Sequence, residues 1–560
     1  MRARTRIRRG GVLLSVALVG ASLLAACSGS SSSGTASGIT KADINLYNGA
    51  TGSMTRNYNP FSPTALGGTR GMIYETLYFF NQAKAQDNRP WLAEKYGIST
   101  DGKKITFTIR QGVKWSDGQP FGADDVAFTF NYLKQNPKIN TNGLPLAGAK
   151  KIDDKTVEVD FTQSAFAFVW YAAGQTPIVP QHIWQSISDP STNQNQNPVG
   201  TGGFMFKAFN PQSFTLVKNP NYWQPGKPGL NSVRFVSYSG NTAALTALNT
   251  GQIDWAGIFI PDIEKAYVAK DKAVNKYVNF TPGFITNLVP NLDKWPTNQL
   301  PVRQAINYAL DREELNKLAF SGSGSVPSAA GIVLPRDQKY LAPEYQDLKP
   351  PNDPAKAKDT LTAAGYTLGS DGIYRDKSGK KLSVGCIVVT GYSDYISALQ
   401  IIKQELKAAG IDFTYQEVSY ASFSARERSG DFTLAIDAAL GGPGPYYLYN
   451  YMLNSKNTAP IGQQANTNFA RFRSSEADAL LAKASGTDDQ ATLNEAYLGL
   501  EKIFVEQLPY IPVVQPGALT EYRTAKFTGM PSADNPYALP ITWEWPDIGV
   551  VAVELKPVSK

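Results

Sequence analysis

Paired carboxylates are the residues whose type and spacing in this sequence could do chemistry, because a glycosidase needs two of them facing each other across a cleft. Acidic pairs occur at Asp124 and Asp125 and at Asp153 and Asp154, and Glu544 stands between two tryptophans. The first pair begins a predicted helix and the second sits at a predicted turn, where such side chains act as local caps. Glu544 is most simply a polar position in a strand. We therefore expect a protein that is not an enzyme.

The other reactive residue types are too few to form a catalytic or metal-binding set. His182 is the single histidine, which argues against a histidine-based metal site and against a Ser-His-Asp arrangement. The run Gly200-Thr201-Gly202-Gly203 lacks the Lys-Ser/Thr of a phosphate-binding loop, and the pattern G-x-x-x-x-G-K-[ST] occurs nowhere in the sequence. Cys386 lies in a predicted buried strand, where it acts as a small hydrophobic side chain. The sequence thus predicts no metal, no cofactor and no ATP site in this chain.

Length and composition bound the class of protein that must position any binding site. At 560 residues the chain is too long for one ordinary core, so we expect two or three domains. The net charge of +7 depends on five arginines within the first nine residues, and without them the chain has 49 basic and 47 acidic residues, or +2. A nearly neutral chain gives no electrostatic support to nucleic-acid binding. We expect no nucleic-acid partner.

Residues 1–38 have the pattern of an export signal followed by a tether. The arginines precede a short apolar run over 11–26, which is too short for a usual membrane-spanning helix. The sequence Leu24-Ala25-Ala26-Cys27 resembles a bacterial lipobox, in which Cys27 takes a diacylglyceryl group; the alternative is an ordinary secretory signal cut near the same place. Residues 27–38 are rich in Gly and Ser, as flexible tethers are. We predict a signal peptide over 1–26 and a lipid anchor at Cys27 on the extracellular face of the cell membrane.

Residues 101–132, DGKKITFTIRQGVKWSDGQPFGADDVAFTFNY, show the order of elements most clearly. Residues 104–110 alternate apolar and polar side chains, which predicts a strand with one buried face. Residues 115–118 have the composition of a turn and residues 122–125 that of a helix start. This order resembles the signature of the family 5 extracellular solute-binding proteins, written roughly "DGk-tFtLR-GvkW-DG-p-tAeDV-f", with Gly122 in place of the usual Thr.

Further blocks resemble the same family along nearly the whole chain after the signal peptide. Examples are IVPQHIW at 178–184, KNPNYW at 218–223, VRQAINYALDR at 302–312 and LPYIPV at 508–513. The resemblance implies a receptor of an ABC importer for peptides, some oligosaccharides or nickel. Such a receptor delivers its ligand to a membrane permease whose ATPase supplies the energy, and we expect it to be a monomer.

The resemblance also implies an α/β fold of two lobes, like the class II periplasmic-binding-protein or Venus-flytrap fold, with an extra subdomain inserted in the first lobe. Lobe I is expected over 39–75, 200–283 and 511–560, the inserted subdomain over 76–199, and lobe II over 284–510. The ligand would lie between the lobes. It would favour the closed form because it contacts both lobes.

The segment 431–453, DFTLAIDAALGGPGPYYLYNYML, bears on the ligand class. Peptide-binding members of the family usually place here an Asp that holds the α-ammonium group of the peptide, a charge that is costly to bury unpaired. An ungapped alignment puts Gly441 and Gly442 at that place, and Asp437 would need a gap to serve. The segment instead resembles the "GPTPY-fY" of members that bind β-linked oligosaccharides. We therefore expect a cello- or xylo-oligosaccharide-like ligand, with an oligopeptide or dipeptide as the alternative.

The candidate ligand-binding residues follow from the same resemblance. An Asn-Pro loop lies close to the ligand in the family, although a plain turn with a packed Phe is an equal interpretation. Trp255 is a candidate cleft aromatic, with core packing as its alternative, and the tyrosines after Pro445 could instead pack internally. The expected set is Asn57, Tyr58, Phe61, Trp255, Phe284, Tyr446, Tyr447 and Asn450.

Overall fold

The computed structural model describes residues 42–84, 87–281 and 283–558. The predicted signal peptide, the tether and the lipidated Cys27 lie outside these residues. Within the described ranges, most strands belong to three sheets, which we call sheets 1, 2 and 3. None of the helices in these ranges combines the length and the apolar character that a membrane crossing requires.

Sheet 1 combines strands from separate parts of the chain. Its strand Asp43–Tyr47 runs parallel to Ser232–Val236 on one side and to Trp255–Ala256 on the other, whereas its other pairs are antiparallel. In spatial order its strands are Asn275–Phe280, Ala518–Arg523, Trp255–Ala256, Asp43–Tyr47, Ser232–Val236, Ser213–Lys218 and Phe204–Asn210. The chain therefore leaves sheet 1 after Tyr47 and again after Phe280, and it returns each time.

Sheet 3 is antiparallel and is built from the first of these excursions. Its strands, in order, are Ala93–Ile98, Lys104–Ile109, Thr156–Phe161 and Leu146–Asp153. The predicted strand and helix of the signature stretch are confirmed as Lys104–Ile109 and Ala123–Gln135. The apolar face of the strand packs on the helix, where the rings of Phe107 and Phe130 stack at 6.3 Å.

The acidic residues near the signature stretch serve the scaffold, as predicted. The Asp125 carboxylate accepts hydrogen bonds from the Gly122 N–H at 3.1 Å and from Trp115 Nε1 at 3.2 Å, so it closes the first turn of the helix. His182 Nε2 lies 2.9 Å from Asp117 Oδ2 at the surface. These side chains fix loops and helix ends.

Two glycines of the 200–203 run allow a close backbone approach. A Cβ on Gly200 would lie 1.9 Å from the Ile73 carbonyl oxygen, and one on Gly202 would lie 2.1 Å from that of Met72. The Gly202 N–H donates to Ile73 O at 2.9 Å. The run therefore packs its loop against the segment that contains Met72 and Ile73.

Sheet 2 is built from the second excursion. Its strands, in order, are Asp412–Val418, Ser383–Val389, Leu434–Leu440, Phe284–Pro290 and Ile511–Val514. Because Ile511–Val514 pairs with Phe284–Pro290, the chain rejoins sheet 1 only with Ala518–Arg523. The domain bounds stated above stay a prediction. Cys386 is 2% exposed within its strand, which confirms it as a small buried side chain.

The helices and cores complete two lobes. One core joins sheets 1 and 3, and two further cores cover the two faces of sheet 2. We call the part built on sheets 1 and 3 the first lobe and the part built on sheet 2 the second lobe. The α-helices are Ala123–Gln135, Gln181–Trp184, Asn241–Asn249, Ile263–Ala266, Leu300–Ala309, Arg312–Ala319, Pro354–Ala363, Ser393–Ala408, Tyr420–Ser429, Pro445–Leu453, Ser475–Ser485, Gln490–Gln507 and Asp547–Glu554. Short strand pairs are Tyr78–Phe79 with Arg89–Pro90, Thr367–Leu368 with Tyr374–Arg375, and Phe527–Thr528 with Lys556–Pro557.

Candidate functional site

The two lobes meet where one loop from each contains a glycine. A Cβ on Gly240 of the first lobe would lie 2.7 Å from the Cα of Gly391 of the second lobe. The neighbouring Asn241 donates from its N–H to Gly391 O at 3.2 Å and from Nδ2 to Ser393 Oγ at 3.1 Å. The lobes are therefore in direct contact at this edge.

The chain connects the lobes twice, between Phe280 and Phe284 and between Val514 and Ala518. Short connections of this kind are where two packed lobes can rotate relative to each other. A gap bounded by these connections is the natural place for a ligand that contacts both lobes.

Large side chains at this gap keep accessible surface. Leu440 ends a strand of sheet 2 opposite Phe284, whose ring lies 5.6 Å from that of Trp543 in the first lobe. Leu440 is 50% exposed, Trp543 38% and Tyr420 52%. Burial nevertheless raises the pKa of Tyr420, so its accessible surface faces a space that protein surrounds. Exposed apolar surface in such a space is typical of a binding site.

An acidic pair lies in the second lobe on this side. Asp437 is in the strand Leu434–Leu440, and Glu427 is in the helix Tyr420–Ser429. Their carboxyl groups share a hydrogen bond, and burial together with the Asp437 charge raises the pKa of Glu427 well above its usual range. Glu427 is 4% exposed, and its Oε1 has no hydrogen-bond partner. Burial also raises the pKa of Asp437, to about 6, and no cation of the described residues forms an ion pair with either carboxyl group.

Tyrosines surround the acidic pair. Burial raises the pKa of Tyr392, Tyr395, Tyr420 and Tyr451, and the negative charge of Asp437 adds to the rise in each. Each phenol therefore lies near that carboxylate. The arrangement offers hydroxyl groups and ring faces around one buried charge, which suits a ligand with a cationic group and a polar body.

The first lobe contributes a cation, Arg70, that lies near Tyr420. The guanidinium of Arg70, in the first lobe, lies over the Trp545 ring at 4.6 Å and donates to Ser62 O at 2.6 Å. Its charge opposes the rise in the pKa of Tyr420. Tyr420 is therefore close both to Arg70 and to the acidic pair. Groups of opposite charge therefore lie near Tyr420, with Arg70 in the first lobe and the acidic pair in the second.

Three predicted residues come together in the helix Pro445–Leu453. The ring of Tyr447 lies 4.7 Å from that of Trp170 and 5.2 Å from that of Tyr171, both in the first lobe. Tyr446 lies 6.2 Å from Phe168 in the same first-lobe segment, and Asn450 Nδ2 donates to the Tyr171 hydroxyl at 3.5 Å. These three residues form a contact between the lobes.

Three others lie together elsewhere in the first lobe. Asn57 binds Ser62 and Thr64 through Nδ2, at 2.9 and 3.1 Å. Tyr58 is fully buried between Phe206 and Phe214, and Phe61 packs edge-on against Trp184 at 5.4 Å. The packed Asn-Pro turn is the arrangement in this structure, and contact of these residues with a ligand stays a prediction.

The remaining predicted aromatics differ in their surroundings. Trp255 is fully buried and donates from Nε1 to Pro540 O at 2.9 Å, which corresponds to the core alternative. Phe284 lies at the lobe junction against Trp543. Glu544, expected in a strand, is instead in the turn before the helix Asp547–Glu554, because its N–H donates to Ile541 O at 3.1 Å. Burial raises the pKa of Glu544 to about 8.

Sequence reasoning missed Arg70, Glu427 and the four tyrosines near the acidic pair, Tyr392, Tyr395, Tyr420 and Tyr451. Arg70 lies in a Gly-rich loop with no pattern that marks it. Asp437 carried a usable signal, because it is a single charge within the otherwise apolar strand LAIDAAL. Among the described residues, no group of three or more His, Cys, Asp or Glu side chains is placed to hold a metal ion.

Comparisons with known proteins agree on the class of protein. Residues 88–460 match the model of the bacterial extracellular solute-binding proteins, family 5, middle region. Over 440 residues the chain is 29% identical to a glutathione-binding protein of Salmonella typhi, covering 76% of this chain and 80% of that one. Over 523 residues it is 25% identical to a probable peptide-binding protein of Agrobacterium fabrum, covering 82% and 83%.

The fold is similar to that of a periplasmic oligopeptide-binding protein of an oligopeptide ABC transporter from Thermotoga maritima, bound to mannohexaose. The TM-score is 0.85 at 26% identity, and the match covers 93% of this chain and 99% of that one. The resemblance seen in the sequence and the predicted two-lobed α/β fold are both confirmed.

Proposed function

The chain belongs to the bacterial extracellular solute-binding proteins of family 5, and from this premise we propose that it is the substrate-binding protein of an ABC importer that captures a peptide between its lobes. The observation that carries the peptide is the Glu427–Asp437 pair at the gap. The captured ligand would then pass to a membrane permease driven by its ATPase.

The acidic pair suits the α-ammonium group of a peptide. A cation that leaves water for an enclosed gap needs an opposite charge and hydrogen bonds there. Asp437 supplies the charge, and the surrounding tyrosine hydroxyls supply polar contacts. A carboxylate at Gly441 or Gly442 is then unnecessary, because Asp437, earlier in the same segment, would pair with the α-ammonium group instead. The relative from Salmonella typhi is a glutathione-binding protein, and glutathione is itself a peptide. The relative from Agrobacterium fabrum is named a probable peptide-binding protein.

An oligosaccharide is the second candidate. It is favoured by the accessible faces of Trp543 and Leu440, since sugars bind flat apolar surfaces, and by the mannohexaose bound to the Thermotoga maritima protein. Against it, the tyrosines expected to stack on sugar rings, Tyr446 and Tyr447, pack against Phe168 and Trp170 instead. The charges of the gap also have no role with a neutral sugar.

A thermal-shift panel distinguishes the two ligands. The purified protein is heated with di- to pentapeptides and with cello-, xylo-, manno- and chito-oligosaccharides. A ligand at 100 times its Kd adds about 2.7 kcal/mol to the free energy of unfolding, which is easily detected. We expect a shift with peptides, and a shift with sugars alone would overturn the peptide proposal.

Substitution of the acid gives the sharper test. Asp437→Asn should weaken peptide binding about 100-fold, because a charge-assisted contact of about 3 kcal/mol is lost. Asp431→Asn is the matched control, since Asp431 is 71% exposed in its side chain and pairs with Arg426 and Lys294 at the surface. Equal affinities of the two variants would contradict the assignment.

We also infer that the protein is held at the outer face of the cell membrane by a lipid on Cys27 and works as a monomer. The lipobox-like sequence and the Gly/Ser tether support the anchor. Cys27→Ser should move the protein from the membrane fraction to the medium or periplasm while ligand binding stays unchanged. A Cys27→Ser protein that stays with the membrane would contradict the anchor.

A further inference from the structure

Arg70 is half-buried, and it differs from the buried arginines Arg303, Arg312 and Arg471 in what its guanidinium contacts. Arg303 donates to the backbone carbonyls of Thr297, Gln507 and Leu508. Arg312 donates to several carbonyls and to the Asn307 side chain. Arg471 donates to the carbonyls of Glu427, Phe469 and Arg428. In all three cases the scaffold accepts from two or more N–H groups, so these arginines hold segments of the second lobe together.

The Arg70 guanidinium is left largely unsatisfied. Among the described residues it donates one hydrogen bond, from Nη2 to Ser62 O, and its buried Nε has no partner. Within the described part of the chain, no carboxylate forms an ion pair with it. Burial lowers the pKa of Arg70 to about 10, so it still carries its positive charge at neutral pH. A buried charge of this kind is costly unless an anion comes to it.

The position of Arg70 indicates where that anion comes from. Its Cζ lies 4.6 Å from the centroid of the Trp545 ring, a cation–π distance that keeps the guanidinium in the first lobe. Tyr420, which begins a helix of the second lobe and is 52% exposed, lies near both Arg70 and the acidic pair. A ligand in contact with Tyr420 can therefore reach a cation on one side and an acid on the other.

We propose that Arg70 binds an anionic group of the ligand, so that the gap selects zwitterionic ligands with a carboxylate at Arg70 and an ammonium group at Glu427 and Asp437. Short peptides with both termini free have this charge pattern. A guanidinium binds a carboxylate through two parallel N–H···O bonds, and Arg70 has donors left for them. This inference rests on the proposed peptide function and narrows it to the free acid.

Peptide amides test the inference on the unaltered protein. Calorimetry compares the affinity of a short peptide that binds, taken from the thermal-shift panel, with that of its C-terminal amide. We expect the amide to bind at least tenfold more weakly, because the carboxylate charge is removed and the rest of the peptide is kept. Equal affinities would overturn the role of Arg70 and leave the peptide function intact, whereas a protein that binds none of the peptides overturns both.

Arg70→Gln should bind the free acid at least tenfold more weakly and no longer distinguish it from the amide. Arg110→Gln is the matched control, because Arg110 also lies over a tryptophan, Trp223 at 4.5 Å, and also donates to a carbonyl, Trp91 O at 2.6 Å. Arg110→Gln should keep the wild-type preference. An Arg70→Gln protein that keeps the preference would overturn the inference, and if this variant fails to fold, the amide comparison on the wild type still decides it.

Discussion

The indole ring of Trp170 lies 4.7 Å from the phenol ring of Tyr447, at an interplanar angle of 66°. Trp170 belongs to the first lobe and Tyr447 to the second, so this pair is an aromatic contact between lobes. Edge-to-face aromatic pairs contribute about 0.5–1.5 kcal/mol beyond the area they bury. The contact can form only when the lobes are together, and it therefore favours the closed form.

Loss of the Tyr447 ring should weaken ligand binding. If the open form gains population, the apparent Kd rises in inverse proportion to the fraction of closed form that remains. A change of about 1.4 kcal/mol corresponds to a factor of ten. We expect Tyr447→Ala to bind about three- to tenfold more weakly by calorimetry. Tyr447→Phe keeps the ring and is the control, so equal weakening in both variants would mean that the hydroxyl, not the ring contact, is responsible.

Gly442 should tolerate no side chain while the lobes are closed. A Cβ there would lie 2.8 Å from Trp170 Cζ3 and 2.7 Å from Tyr447 Cγ. Both distances are shorter than van der Waals contact allows. Gly442→Ser should therefore weaken ligand binding by separating the rings, seen as a larger radius of gyration with ligand in small-angle scattering. Gly444→Ser is the control, because nothing lies within 4 Å of its Cβ position and Ser is a favoured residue before a helix. Identical scattering of both variants would rule out the steric argument.

The elements of the scaffold could be predicted from local pattern, and the site could not. Alternation in 104–109 and helical spacing after Gly122 depend on neighbours in sequence, so the strand and helix were accessible to sequence reasoning. Arg70 and Tyr420 lie far apart in the chain and meet only because two lobes close. No periodicity encodes that meeting.

Aromatic residue type alone also failed to separate core from cleft. Trp255 and Trp543 look alike in sequence, yet Trp255 is fully buried and Trp543 is 38% exposed. In the sequence, Gly441 and Gly442 belong to a segment that resembles that of sugar-binding members of the family, which predicts a sugar ligand. The structure gives these glycines a steric reason as well, since Gly442 makes room for Trp170.

Removal of the Glu75 carboxylate should destabilise the first lobe. Glu75 is 2% exposed and accepts hydrogen bonds from Trp91 Nε1 at 2.6 Å, Tyr222 Oη at 3.1 Å and Trp223 Nε1 at 3.1 Å. Glu75→Ala removes the acceptor of three donors, of which Trp91 and Tyr222 are buried and Trp223 is half-buried, at about 1 kcal/mol or more each. We expect a loss of about 3 kcal/mol or more in urea denaturation. Glu75→Gln, which keeps one acceptor oxygen, should lose less, and a greater loss there would contradict this account.

Glu501 should make the protein less stable as the pH rises from about 4.5 to about 7. It is fully buried, with Oε2 accepting from the Ala342 N–H at 3.0 Å and Oε1 unpaired, and burial raises its pKa from 4.5 to about 7. Between these values the unfolded chain loses the proton first, so unfolding becomes easier with pH, by at most about 3 kcal/mol above pH 7. Glu501→Gln should therefore gain stability relative to wild type at pH 8 and little at pH 4, measured by urea denaturation at both. Glu506→Gln, exposed on the same helix, should show no such difference, and a Glu501→Gln protein with the wild-type pH dependence would show that this carboxyl stays uncharged or finds water when folded.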